Sequence, residues 1–156
     1  YYLTDLVAEL HDAGHLTEAL VISDPQEATG VNDRAQLASA EAVLRRRINE
    51  RWMQRGVTMW DPEHTYVDAG VTLAPDVSLL PGTVLKGRCA LARGARVGPH
   101  AVLEDTTVGE GARVGTVDAR GAAIGSEALV ASYCVLAPGA RVLDGESVPP
   151  FTHVTP

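Results

Sequence analysis

Few residues of this 156-residue chain have types and spacings that could do chemistry. His100, just after Gly98-Pro99, and His153, near the carboxyl end, are of the type that serves as a general base, yet no partner acid is visible for either. Both therefore read as surface histidines. Cys89 and Cys134 are too few and too far apart for a disulfide framework or a CxxC metal site. The Arg45-Arg46-Arg47 triplet could hold a phosphate, but within a helical stretch it reads more simply as a solvated face. Asn32, just before a helical pattern that begins near Asp33, is a favoured helix cap.

The elements that carry these residues are constrained by composition. Lys and Arg number 13 against 20 Asp and Glu, a net charge of −7, which argues against nucleic acid or an anionic membrane surface as a partner. Aromatic residues are 4% of the chain and apolar residues 46%, so the core must be built from Val, Leu, Ile and Ala. The opening residues YYLTDLVAELHDAGH lack the basic flank and apolar centre of a signal peptide. No apolar run approaches the ~20 residues that span a bilayer, and the cytoplasm is the expected compartment.

The second half repeats. Val67, Leu73, Leu79, Leu85, Leu91, Val97 and Leu103 fall every six residues, Val108 follows after five and Val114 after six, and Ile124, Val130, Leu136, Val142, Val148 and Val154 resume the interval. Four residues after most anchors stands something small or β-branched, as at Val71, Val77, Thr83, Cys89, Ala95, Ala101, Thr107, Ala112, Ala128, Cys134 and Ala140, with Glu146 the exception. A large and a small inward residue per flat side is hexapeptide β-helix logic, three short parallel strands to a coil and about five coils in all. Gly and Pro, including Gly70, Gly82 and Pro81, fall near the corners. The ten-residue gap from Val114 to Ile124 reads as a bulge or loop. Open strand edges at the ends of such a prism need cover, and a homotrimer packed side by side is expected.

Ahead of the repeat, Thr4 or Asp5 would cap a short helix over 4–13 that stops at Gly14, and Leu20-Val21-Ile22 suggests a strand. From about Asp33 to Gln54, Leu37, Val43, Leu44, Ile48 and Trp52 mark a long amphipathic helix that Gly56 ends. The first 33 residues are too few for a core of their own and read as the end of a larger domain. The expected division is 1–33, a linker helix over 34–56 and a prism over 57–156.

The blocks YYLTD at 1–5, GVNDRAQLA at 30–38 and GVTMWDPEHTYVD at 56–68, followed by the hexads, resemble the carboxyl-terminal part of the bifunctional N-acetylglucosamine-1-phosphate uridylyltransferase / glucosamine-1-phosphate acetyltransferase family. The resemblance implies the end of a Rossmann-like nucleotidyltransferase domain, a linker helix and a left-handed parallel β-helix that trimerises. The hand comes from the resemblance alone, since general crossover statistics favour the right-handed form. It also implies a parent enzyme that makes UDP-N-acetylglucosamine from UTP and N-acetylglucosamine 1-phosphate. Asn32 matches the Asn that helps hold Mg²⁺ on the nucleotide, and Tyr2 and Thr4 match positions lining the amino-sugar pocket. The metal and cap readings of Asn32 are compatible.

The acetyltransferase motifs of that family are degenerate here. The pattern VGPFAxLRPG aligns with 130–139 and puts Ala137 where the phosphate-binding Arg belongs. VGNFVEVK aligns with 148–155 and puts His153 at the Glu and Thr155 at the binding Lys. The later catalytic His motif and the coils that bind acetyl-CoA are expected beyond Pro156, and the Gly-rich nucleotide-binding signature before Tyr1. The segment alone is expected to be inactive, with acetyl transfer lost. Two other readings are a purely structural oligomerisation module and a residual acetyl-CoA-dependent acyltransferase.

Overall fold

A computed structural model describes residues 4–18 and 20–156. The chain divides into two compact units, Tyr1–Leu37 and Ala38–Pro156. The border lies inside the long helix, which from Ala38 onward goes with the repeat.

In the first unit, α1 (Asp5–Asp12) follows Thr4, whose hydroxyl makes no capping bond. Gly14, at φ 80°, ends the element as expected. No strand forms at Leu20-Val21-Ile22. Leu20 and Val21 are each 89% exposed and pair with no strand among the described residues, so three apolar residues alone gain nothing from an extended conformation. A 3-10 turn at Pro25–Ala28 leads to α2 (Arg34–Gln54). Its cap is Asp33: Gln36 N donates to Asp33 Oδ1 at 2.7 Å, and Gln36 Oε1 accepts from Asn32 N at 2.6 Å. This is a capping box displaced by one residue. It corrects the reading of Asn32 as the cap.

In the second unit, the carboxyl-terminal half of α2 buries Ile48, Asn49 and Trp52. Leu44, expected on the apolar face, is 56% exposed. A buried Asn stands where an aliphatic residue would suit an ordinary amphipathic face. Its Nδ2 donates to the carbonyls of Pro62 and Thr65 at 2.8 and 2.9 Å, tying the helix to the first coil through polar bonds.

The repeat folds into three parallel sheets of six, six and five strands. In the first sheet Met59, Leu79, Val97, Val114, Val130 and Val148 lie in register. The second aligns Val67, Leu85, Leu103, Ala119, Leu136 and Val154. The third aligns Leu73, Leu91, Val108, Ile124 and Val142. All of these anchors except Val154 are buried. The three-sided prism expected from the hexads is therefore present.

The stretch between Val114 and Ile124 corrects the expected loop. Val117–Arg120 is a strand of the second sheet, with Val117 and Ala119 buried and Ala119 opposite both Leu103 and Leu136. The period is kept in space with two five-residue steps and an alanine anchor. For the same reason the small inward residue before Val108 is Thr106, fully buried, while Thr107 points out. The rule that holds counts back two from each anchor, since alternate residues of a strand share a face. Polar members of this slot donate to backbone carbonyls nearby: Thr65 Oγ1 to Asp61 O at 2.6 Å, Thr83 Oγ1 to Leu80 O at 2.7 Å and Thr106 Oγ1 to Glu104 O at 2.8 Å. Glu146, in the equivalent position of the last full coil, is exposed and accepts from Leu143 N at 2.6 Å. At the corners, Gly82 has φ 73°, whereas Gly70 is needed for closeness, since an added Cβ would stand 2.7 Å from Gly87 O.

Candidate functional site

The residues singled out in the sequence do not converge. Tyr2 lies outside the described residues. Thr4 and Asn32 are both exposed, and neither side chain makes a hydrogen bond among the described residues. No group of three His, Cys, Asp or Glu among the described residues could hold a metal ion. Asp33, the carboxylate next to Asn32, accepts from Gln36 N.

His100 is exposed at φ 52°, with its ring over Gly82 and its amide donating to Pro81 O at 2.9 Å. His153 is exposed on the strand His153–Val154 opposite Val135. Among the described residues neither ring has a carboxylate partner. Cys89 and Cys134 are buried free thiols in the small inward slot, as expected. Burial pushes the Cys89 thiol above its ordinary pKa, which makes it a poor nucleophile.

The outward face of the second sheet gathers the positions aligned with the acetyltransferase motifs. Leu136 and Val154 are register partners, and Ala137 N donates to Val154 O at 2.9 Å, so Ala137 and Thr155 are neighbours, each just past the end of its strand, Cys134–Leu136 and His153–Val154. A cation at each would converge on one anion; a methyl and a hydroxyl do not. One strand back in the same column is Arg120, whose Nε lies 3.5 Å from Asp118 Oδ1. The sequence reading missed both residues because it placed them in a loop.

It also missed a pair at the head of the prism. Asp61 caps the 3-10 turn Pro62–His64, accepting from His64 N at 3.3 Å, and its Oδ2 lies 2.8 Å from His64 Nδ1. The bond to the His64 side chain holds the Asp61 carboxyl below its ordinary pKa. The visible signal was Asp-Pro three residues ahead of a His. Beside it a groove of about 600 Å³ runs between α2 and the first coil, lined by Arg45, Asn49, Glu50, His64 and Tyr66 among others. The Arg45 guanidinium sits 4.7 Å from the centre of the Tyr66 ring. Arg45 is therefore partly packed, while Arg46 and Arg47 are exposed as expected for a solvated face.

No protein-family model matches the chain. Among curated proteins, a bifunctional protein GlmU of Desulfitobacterium hafniense is 44% identical over 154 residues, 99% of this chain and 34% of that protein. Those of Kineococcus radiotolerans and Clavibacter sepedonicus are each 46% identical over 90% and 92% of the chain, and 29% of their own length. The chain is homologous to a segment of GlmU. It spans about a third of the length of the GlmU proteins it matches. A solved GDP-perosamine N-acetyltransferase from Caulobacter crescentus aligns over 91% of the chain and 86% of its own, at 19% identity and a TM-score of 0.35, a likeness too distant to carry function. Against GlmU, the resemblance drawn from the blocks at 1–5, 30–38 and 56–68 holds along nearly the whole chain.

Proposed function

We propose that this chain is the carboxyl-terminal, trimer-forming portion of a cytoplasmic sugar-1-phosphate uridylyltransferase, and that it does not transfer acetyl groups. In this reading the parent protein joins UTP and N-acetylglucosamine 1-phosphate, a sugar-phosphate oxygen attacking the α-phosphorus in line as pyrophosphate leaves. The helix and a left-handed prism supply assembly. Loss of acetyl transfer is supported by one observation above all: Ala137 and Thr155 are side by side where two cations would be needed to hold a sugar phosphate. The same pair favours a second reading, in which the prism serves only as architecture.

Tyr2 and Thr4 would line the amino-sugar pocket of the complete enzyme, and Asn32 would give one ligand to Mg²⁺. Among the described residues a lone amide oxygen is only a fraction of a magnesium site, so these residues do not fit the ion by themselves. The test is UDP-N-acetylglucosamine synthesis by the complete protein with and without Asn32→Ala. A drop of tenfold or more in kcat/KM is expected; an inactive wild type or an unimpaired variant overturns the assignment.

A further inference from the structure

On the first sheet, Arg96 and Arg113 are register partners on adjacent strands and both are exposed. Strands in such a sheet lie ~4.8 Å apart, and like charges directly opposite one another repel. Neither guanidinium has a carboxylate partner among the described residues; Arg96 lies 5.8 Å from the centre of the Trp60 ring, a cation–π contact that leaves its full charge and its N–H donors in place. Other arginines on the prism do find acids, such as Arg93 with Asp76 at 2.7 Å and Arg120 with Asp118 at 3.5 Å. Arg96 and Arg113 both line a shallow groove of about 300 Å³ together with Gly98, Gly115, Leu129 and Ser132, with no acidic residue in its lining. In a chain of net charge −7, two unopposed cations over an acid-free hollow are a local inversion of the field.

We infer that this groove binds a phosphoryl group, free or as a phosphomonoester, through Arg96 and Arg113. Guanidinium forks suit phosphate oxygens, and two forks from adjacent strands can reach one group together. The Ser132 hydroxyl, which accepts from Thr116 N at 3.2 Å, has its own proton left to donate. The site is on a different face from Ala137 and Thr155 and does not depend on the proposed function.

Two probes test it on the full chain at constant ionic strength: inorganic phosphate and glycerol 3-phosphate. Either should move the backbone amide resonances of Gly98, Gly115 and Ser132 in a saturable titration, and a tighter response to the ester would identify a phosphomonoester as the ligand. Arg96→Gln or Arg113→Gln should weaken the response about tenfold or more, and Arg113→Lys less. Shifts that fail to saturate, that concentrate elsewhere, or that persist in a folded double Gln variant overturn the site. So does a wild type unresponsive to both probes whose light-scattering mass changes in Arg113→Gln, since the pair would then be seating acids of a second copy. If a Gln variant does not fold, the wild-type titration alone decides by where its shifts fall.

Discussion

Ala137 and Thr155 stand abreast just past the ends of two paired strands, joined through the bond from Ala137 N to Val154 O at 2.9 Å. Restoring Arg at 137 and Lys at 155 should create a convergent anion clamp. Each charge-assisted hydrogen bond is worth about 1.5–3 kcal/mol. Calorimetry with glucosamine 1-phosphate should show no heat for the wild-type chain and measurable binding for the double variant. Equal binding by both would mean the missing cations are not what limits recognition.

Ala119 sits where the repeat elsewhere has Val, Leu, Ile or, in the first coil, Met, and it faces Leu103 and Leu136. Five-residue steps flank it, and Ala119 is fully buried between the two leucines, so added methylenes would have to displace packed neighbours. Ala119→Leu, although it restores the sequence pattern, should destabilise the chain by about 1–3 kcal/mol through overpacking. Leu103→Ala should do so by about 2–5 kcal/mol through a cavity. Denaturant melts read both, and a stabilising Ala119→Leu would show that the axis there has room for a larger side chain.

Asn49 is 1% exposed and holds the Pro62 and Thr65 carbonyls. Asn49→Ala leaves both acceptors without their donor, at about 1–3 kcal/mol for each group left buried. Hydrogen exchange should then speed up in the carboxyl-terminal half of α2 and in the turn after Asp61, with the distant coils unchanged. Uniform acceleration, or none, would contradict this local tie.

Cys89 and Cys134 are each 1% exposed. Ellman's reagent at pH 8 should label neither thiol in the native chain and both in denaturant. Rapid native labelling of either would show that the prism opens at that coil.

The repeat was legible in sequence because a three-sided coil leaves one kind of space at its axis, and the aliphatic anchors from Val67 to Leu103 report it directly. The strand Val117–Arg120 was not, since an alanine anchor between two five-residue steps carries no hydrophobic signal. With it went Asp118 and Arg120, the ion pair next to Ala137. Thr107 was misassigned for Thr106 because the small slot is tied to the anchor that follows, not the one before. Leu20-Val21-Ile22 had strand composition but pairs with no strand among the described residues. The cap at α2 belonged to Asp33 because Gln36, three residues on, completes the box with it. Asn49 and the Asp61–His64 pair depend on residues meeting across a turn, which periodicity does not encode.

The account is tested most directly by giving the complete protein both reactions in parallel, UTP with N-acetylglucosamine 1-phosphate and acetyl-CoA with glucosamine 1-phosphate, and resolving the products by mass spectrometry. It predicts UDP-N-acetylglucosamine in the first and no N-acetylated sugar phosphate in the second. Acetylated product formed with Ala137 and Thr155 in place, or a first reaction that yields nothing, would contradict it.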